Sequence, residues 1–342
     1  MSYLTPKSRF INANSRVPKY RQVANTILWE IEQENLKPGH RLPSINETSA
    51  EYYLSRDTIV KAYYELAHRG IITSIPGKGF YVNTTPEKAV LKIVLILNKL
   101  SHYKQEVHQA MVKKLGEETN TTIFIHNHDA SLFQSFILEN LGFYDYYVIM
   151  PHFNGNQEQA RKAIAKIPNN KLILLDQDID GLNPGYGLVY QDYQRDLENT
   201  LSKAQKHLAK YKKIYLVYPS SRQCSGRIIK GFKAFCNQSQ MDHEILEKVN
   251  PSKLEKDCVY LVIEESDLLK VIKTSQKNQW ELGQDVGIIA YNDSPCKEIL
   301  AGGISVITTD HRKMGVSAAD MILNRNRKKL HNPFIFKKRA SL

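Results

Sequence analysis

The sequence predicts an α/β protein: a small helical domain that ends in a β-hairpin, followed by a larger domain built from parallel sheets. Two observations support this fold class. Up to about Thr85 the apolar residues recur at helical spacing, whereas from Leu91 onward short apolar runs alternate with longer amphipathic stretches. Between them lies a polar junction containing Pro86, which is typical of a linker. We therefore expect two domains, at residues 1–85 and 86–342.

Composition narrows the class of protein. The chain of 342 residues is long enough for about two domains, and its formal net charge of +12 is compatible with a polyanionic partner. The four cysteines show no C-x-x-C spacing, no apolar run is long enough to span a membrane, and the first residues lack an apolar signal core. We expect a cytoplasmic protein that holds no metal and has no membrane partner.

Three helices and a hairpin are predicted in the first domain, at residues 20–33, 45–52, 56–69, 71–75 and 80–82. Ser44 with Glu47 forms a capping box before the second helix, and Ser55 caps the third. Gly77 and Gly79 permit the tight turn between the two strands. A helix, a short helix, a tight turn, a third helix and a hairpin together make the winged helix-turn-helix arrangement.

The third helix of this arrangement enters the major groove of DNA with its N-terminal side chains forward. Arg56 can reach a base edge or a phosphate, while Ser55 and Thr58 offer hydroxyls to phosphates beside a helix N-terminus that favours anions. Lys78 lies between two glycines in the wing, so its backbone can come close to DNA. Two structural alternatives remain open, a surface salt bridge for Arg56 and a helix cap alone for Ser55.

This part of the chain resembles the GntR-family DNA-binding domain. The matching motifs are PGHRLPS (38–44), LSRDTIVKAYYEL (54–66), RGII (69–72) and GKGFYV (77–82). The resemblance implies a dimeric bacterial repressor or activator that binds a near-palindromic operator. Asn46 follows the LPS motif where many relatives carry an arginine, and it could itself read an adenine. The expected DNA-contacting residues are Arg41, Ser44, Asn46, Ser55, Arg56, Thr58, Lys61 and Lys78.

Strands and helices alternate without hairpins in the larger domain, which predicts parallel sheets covered by helices, in two lobes around a cleft. The predicted strands are residues 92–97, 121–125, 146–150, 171–175, 188–190, 213–217, 245–247, 259–264, 286–291 and 334–336. Ligands of such folds bind beyond the carboxyl ends of the strands. This chain places polar and aromatic residues there, a mixture that suits a neutral polyhydroxylated molecule. The basic run 325–339 is expected to be a solvated turn and edge strand.

The larger domain resembles the periplasmic-binding-protein-like effector domain of the lactose-repressor family. The matching motifs are GRIIKGFKAF (226–235), DVGIIAYNDSP (285–295), SVITTDHRKMGVSAADMIL (305–323) and FIFKKRAS (334–341). Together with the first domain this resembles the arabinose-repressor architecture. The resemblance implies a homodimeric repressor of carbohydrate utilisation genes, whose operator binding responds to a pentose or deoxyhexose such as arabinose or fucose.

The expected sugar-binding residues are Ser101, His102, Asp176, Arg227, Glu265, Asn292 and Asp293. By the resemblance, Arg227 falls where an effector-contacting arginine is common. Asn292 departs from the usual aspartate, and Glu264 with Glu265 replaces a more usual Asn-Asp pair. The polar contacts to a sugar are therefore expected to differ in detail from those of the family.

Other classes of function stay open. A pyridoxal-phosphate aminotransferase-like regulator needs a longer body than the chain leaves after residue 87, and a ligand-free DNA-organising protein is the third class. His126 and His128 could belong to a metal cluster, but such a cluster needs further ligands, so a strand-end loop is expected instead. We expect no enzyme and no cofactor.

Overall fold

The structure is a computed structural model that describes residues 11, 17–32, 34–83, 91–117, 119–219 and 226–342. The junction expected near Pro86 lies outside the described residues. The chain divides into two compact units. One takes the described residues of Met1–Lys99, Leu115–Leu172 and Ile179–Gly185, and the other takes those of Leu100–Lys114, Ile173–Asp178 and Tyr186–Leu342. Among the residues described, no helix is long and apolar enough to cross a bilayer.

The N-terminal elements are α1 Lys19–Glu32, α2 Ile45–Tyr52, α3 Arg56–His68, β1 Ile72–Ile75 and β2 Gly79–Val82. The two strands pair antiparallel and form the predicted wing. The apolar faces of the helices bury a small core around Tyr63, which is only 1% exposed. The hydroxyl of Tyr63 donates to Pro43 O at 2.8 Å and lies 2.7 Å from Thr48 Oγ1, so the buried phenol is satisfied. The winged helix-turn-helix prediction is confirmed.

The strands that follow are β3 Leu91–Leu97, β4 Thr119–Ile125, β5 Tyr146–Ile149, β6 Leu172–Asp176, β7 Gly187–Tyr190, β8 Lys213–Val217, β9 Asp242–Leu246, β10 Cys258–Val262, β11 Val286–Tyr291, β12 Ser305–Thr309, β13 Lys329–His331 and β14 Phe334–Lys337. The helices between them are α4 His102–Leu115, α5 Ala130–Asn140, α6 Gln157–Ile164, α7 Tyr193–Leu208, α8 Arg227–Ser239, α9 Glu265–Lys277, α10 Pro295–Ile299 and α11 His311–Leu323. This alternation is the one that the sequence predicts.

Two six-stranded sheets result, in the orders β13-β7-β6-β5-β3-β4 and β14-β12-β11-β10-β8-β9. The described pairings within these two sheets are parallel, with one exception. Strand β14 pairs antiparallel with β12, a reversal that the sequence analysis did not anticipate. Only Asn332 and Pro333 separate β13 from β14, and each of these strands lies at the edge of its sheet. The basic run therefore contains edge strands, as expected.

Strand β12 and the first turn of α4 are absent from the sequence prediction. Three of the five residues of β12 carry hydroxyl groups, which hide the apolar character of the strand, yet Thr308 and Thr309 are buried. The sequence pattern predicts an amphipathic helix over residues 106–118. Helix α4 instead begins at His102, because the carbonyl of Ser101 accepts hydrogen bonds from the backbone N–H groups of Lys104 and Gln105. Both elements matter for the candidate site. The start of α4 follows β3, and the start of α11 follows β12, so these helices position side chains just beyond strand ends.

A glycine sets the packing of α4 against α11 within the second unit. A Cβ atom added at Gly315 would overlap the backbone carbonyl oxygen of Val107 and lie 3.1 Å from Met111 N. The two helix backbones therefore approach each other more closely than any side chain at this position would allow. The first turns of both helices carry candidate site residues. The close contact at Gly315 therefore fixes the position of these two turns relative to each other.

Candidate functional site

Caps fix the N-terminal ends of α2 and α3. Ser44 Oγ accepts from Glu47 N at 3.2 Å while Glu47 Oε2 accepts from Ser44 N at 2.6 Å, so the predicted capping box is confirmed. Ser55 Oγ accepts from Thr58 N at 3.3 Å and lies 2.8 Å from Thr58 Oγ1. The first turn of α3 is thereby held with its remaining N–H groups directed along the helix axis, which favours an anion.

The cationic residues expected to contact DNA are exposed on this domain. Arg56 and Lys61 are exposed on α3, and Lys78 is exposed in the turn of the wing. The guanidinium of Arg41 lies against the wing, since a Cβ at Gly79 would be only 3.3 Å from Arg41 Nε. Arg41 and the wing therefore share one side of the domain. Asn46 is exposed on α2, whereas the Ser44 hydroxyl is committed to its cap.

Ser101 carries an unusual polar atom in the second unit. Its Oγ is buried and has no hydrogen-bond partner among the described residues. A buried hydroxyl without a partner costs about 1–3 kcal/mol, so folded chains normally satisfy it. Ser101 immediately precedes α4 and follows the β3 strand end, where ligands of parallel sheets bind. The hydroxyl therefore has an unused hydrogen-bonding capacity that a bound ligand at this end of the sheet could satisfy.

A buried polar cluster lies near the start of α4 and α11. Lys104 is 3% exposed and His311 8% exposed, and the ring of His311 lies 4.8 Å from that of Tyr103. Asp176, at the end of β6, has a positive φ of 80° and accepts a hydrogen bond from the hydroxyl of Tyr193 at 2.9 Å. A buried cation, a carboxylate and an aromatic ring together suit a neutral polar ligand.

Burial dominates the protonation of His311. It lowers the pKa of His311 to about 4, against the opposing charges of Asp176 and Asp310 and with the support of Lys104 and His102. His311 is therefore neutral at pH 7 and presents one donor and one acceptor nitrogen. The exposed His102 lies at the first position of α4, close enough for its charge to act on His311. The structure thus places two of the expected sugar-binding residues, His102 and Asp176, near His311. The sequence analysis did not include His311 among the site residues.

When the pH is lowered from about 7 to 5, the titration of His311 is expected to reduce the free energy of unfolding by about 2 kcal/mol. The unfolded imidazole titrates near 6.5 and the folded one near 4, so the unfolded state binds more protons in this window and stability falls with the pH. Urea unfolding at both pH values measures the effect. His311→Gln should lose correspondingly less stability on acidification, and identical pH dependence in both proteins contradicts the assignment.

A second polar cluster surrounds Lys297, which is 5% exposed. Lys297 Nζ donates to Asn292 O at 2.8 Å and lies 3.8 Å from Glu265 Oε1. Burial lowers the pKa of Lys297, while the carboxylates of Glu265 and Asp293 oppose that change. The structure therefore brings Glu265 and Asn292 to one buried amine, and Asp293 is near enough for its charge to act on that amine. The Glu265 side chain is itself 74% exposed, at the first position of α9.

Asp293 is engaged within the chain. Both of its oxygens accept hydrogen bonds from Arg339 at 2.9 Å, and Lys337 Nζ also donates to Oδ2 at 2.9 Å. Burial alone would raise the pKa of Asp293, but the hydrogen bonds from Arg339 and Lys337 hold it below its usual value. Arg227 is exposed at the first position of α8, directly after the N-cap residue Gly226.

Sequence reasoning missed Lys104 and His311. The late predicted start of α4 put Lys104 in a loop, and the absence of a predicted β12 left His311 without a strand before it. The apolar pair Val306 and Ile307 was a sequence signal for a short strand here. With that strand recognised, His311 would have been placed just beyond a strand end. Among the described residues, no cluster of three or more His, Cys, Asp or Glu is arranged to hold a metal.

The N-terminal domain contacts one loop of the region that follows it, within the first unit. The Phe143 ring centroid lies 4.4 Å from the guanidinium carbon of Arg21 and 5.4 Å from that of Arg69. Asn25 Nδ2 donates to Leu141 O at 2.5 Å. Cation–π contacts of this kind contribute about 0.5–1 kcal/mol each at exposed sites. The loop after α5 is therefore in direct contact with α1 of the winged helix domain.

Comparison with known proteins supports the two parts of the chain separately. The family model described as "Bacterial regulatory proteins, gntR family" matches residues 19–82. The HTH-type transcriptional repressor YtrA of Bacillus subtilis (strain 168) is 30% identical over 102 residues, which cover 30% of this chain and 75% of that protein. The mannosyl-D-glycerate transport/metabolism system repressor MngR of Escherichia coli (strain K12) is 40% identical over 65 residues, or 19% of this chain and 27% of that protein.

A solved structure resembles most of the remaining chain. The trehalose repressor from Escherichia coli matches with a TM-score of 0.60 and 15% identity, and the match covers 72% of this chain and 100% of that chain. A share of this size must include the two parallel sheets, because the winged helix domain is far smaller. The similarity shows the fold alone, and it confirms the predicted type of larger domain.

Proposed function

Since the chain belongs to the gntR family of bacterial regulatory proteins, we propose that it binds operator DNA as a cytoplasmic homodimer and represses carbohydrate utilisation genes. In this proposal, residues 1–85 bind the DNA, and residues 86–342 dimerise and bind a small neutral sugar that weakens operator binding. The observation that carries the proposal is the capped, solvent-exposed N-terminus of α3 with Arg56 beside it. It supplies the anion-binding end and the side chain that major-groove recognition needs.

The buried hydroxyl of Ser101 supports the sugar-binding half of the proposal. Around His311 the cationic Lys104 and the anionic Asp176 offset each other, so a neutral ligand fits better than a charged one. We propose a pentose or deoxyhexose, such as arabinose or fucose, with Ser101, His102 and Asp176 among its contacts. The proposed contacts in the remainder of the second unit are Arg227, Glu265, Asn292 and Asp293. For Asp293 this role requires that a sugar hydroxyl shares the carboxylate with Arg339.

The loop that contains Phe143 offers a physical connection between the two activities. Arg21 and Arg69 belong to the winged helix domain and both lie over the Phe143 ring. A ligand that changes the position of this loop would therefore change the orientation of the DNA-binding domain. Coupling of this kind is reciprocal, so operator DNA should weaken sugar binding by the same factor.

Arg56→Ala is expected to weaken operator binding by about 1–3 kcal/mol if Arg56 reads a base. The operator can be obtained by selecting sequences that the full-length protein enriches from random DNA. Fluorescence anisotropy at several salt concentrations then measures affinity, which should fall steeply with salt because lysine and arginine contacts release counterions. Undiminished affinity in Arg56→Ala would refute the base contact. Lys203→Ala, which changes an exposed lysine on α7 of the second unit, serves as the control.

Ser101→Ala is expected to produce two opposite effects. Without ligand, it should stabilise the protein by about 1 kcal/mol, because a buried hydroxyl without a partner is removed. With ligand, it should weaken sugar binding about tenfold, the worth of one hydrogen bond. A thermal-shift screen of monosaccharides with the wild-type protein identifies the sugar, and calorimetry measures both proteins. If no sugar raises the melting temperature, the ligand-free DNA-organising alternative gains support.

A further inference from the structure

The exposed face of α3 has an apolar centre. Val60 is 45% exposed and Tyr64 71% exposed, although both carry large apolar groups. Because residues four apart lie on the same face of a helix, Val60 stands between Arg56 and Tyr64 on that face. The opposite face forms the core, through Ile59, Ala62, Tyr63 and Leu66. Val60 is therefore not one of the core residues of the domain, and its branched side chain lies on the exposed face of α3.

The charges around Val60 identify the chemistry of that partner. Arg56 precedes Val60 by one turn and Lys61 follows it directly, while Asp57 is an acid of the same first turn. All three are exposed, and their net charge is +1. Together with the capped N-terminus of α3, they make the face attractive to an anion. The core of a protein–protein interface is instead depleted of charge. The apolar groups that a polyanion offers to a helix are the thymine methyl groups of the major groove.

We propose that Val60 contacts the C5 methyl group of a thymine in the operator and selects that base over cytosine. This inference rests on the proposed function, because it requires α3 to enter the major groove. Val60 lies about 6 Å beyond Arg56 along the helix axis at 1.5 Å per residue. Base pairs are about 3.4 Å apart, so the thymine lies within roughly two base pairs of the position that Arg56 contacts.

The test removes single methyl groups from the DNA. The full-length protein first enriches its preferred sequence from random DNA, and each thymine of that sequence is then replaced in turn by deoxyuridine, which lacks only the C5 methyl group. Each half-site is expected to contain one thymine whose single replacement weakens wild-type binding about fourfold. This factor corresponds to the loss of one buried methyl group. In Val60→Ala, the same replacement is expected to leave the affinity unchanged, because the contact is already lost.

Three further variants make the result specific. Val60→Thr keeps the branched shape and one methyl group, so it should bind DNA with a smaller deoxyuridine effect. Lys61→Ala should weaken binding to every sequence and lower the salt slope by about one, with the wild-type deoxyuridine profile retained. Leu323→Ala, at a position of similar exposure (46%) on α11, should change neither the affinity nor the profile.

Two outcomes overturn the inference in distinguishable ways. If wild type and Val60→Ala respond alike to every deoxyuridine, Val60 reads no thymine, while the proposed DNA-binding function stands. The exposed face centred on Val60 would then be available to another protein instead. If the random pool yields no enriched sequence, the proposed function and the inference fail together.

Discussion

Arg339→Ala is expected to lower the free energy of unfolding by about 3 kcal/mol, the lower end of the cost of breaking a buried ion pair from one side, because this pair is only partly buried. Arg339 and Asp293 are only 14% and 16% exposed, and the guanidinium meets both carboxylate oxygens at 2.9 Å. Arg339 Nη1 also donates to Ile304 O at 2.9 Å. Lys337 remains beside Asp293 in the variant, so the loss should fall toward the lower end.

Urea denaturation at neutral pH measures this loss. Lys337→Ala is the matched control, because it removes a cation from the same carboxylate at a side chain that is 47% exposed, and it should cost about 1 kcal/mol or less. The pKa of Asp293 is held below its usual 3.8, so the stabilisation is present above that pH and is lost as the pH falls through the folded pKa. Equal losses in the two variants would show that burial of the pair is unimportant.

Gly315→Ala is expected to destabilise the protein by about 3 kcal/mol, the upper part of the range for overpacking. In an open helix the same substitution would stabilise, since alanine is the better helix former. Here the new methyl group would overlap Val107 O, a backbone atom that no side-chain rotation can move away. Helices α4 and α11 must separate, and His311 then loses its packing against Tyr103.

The packing explanation for Gly315 has its own control. A Cβ at Gly226 meets nothing within 4 Å, so Gly226→Ala should leave the unfolding free energy nearly unchanged. Affinity for the proposed sugar provides a second measurement, because the separation of the helices would disturb Lys104 and His311 together. A Gly315→Ala protein that is as stable as wild type would mean that the two helices have room to adjust.

The winged helix domain was predictable because its signals are local. The capping box joins Ser44 to Glu47, three residues apart, and the Ser55 cap meets Thr58 at the same distance along the chain. The apolar faces of the three helices are equally legible from spacing alone. Element bounds in this domain consequently differ from the prediction by only a residue or so at each end.

The candidate sugar site was only partly predictable, because its decisive features depend on packing between distant segments. Asp293 follows a strand end as expected, but its partner Arg339 lies 46 residues further along the chain. The burial of Lys104 and the lack of a partner for Ser101 Oγ exist only once the chain is folded. Residue type and strand order could therefore nominate Ser101 and Asp293 equally, although the structure gives them different surroundings.

The edge strands β13 and β14 come after all the other strands in the chain, yet each completes a different sheet. The winged helix domain, by contrast, is contiguous and ends at β2. A ribosome moves at about 5–20 residues per second, so roughly 10–50 s of synthesis separate Val82 from Lys337. During that time a nascent chain carries a complete winged helix domain, while both six-stranded sheets still lack an edge strand. Under the proposed function, termination of synthesis before β13 would therefore leave a polypeptide with a folded winged helix domain but without the sugar response.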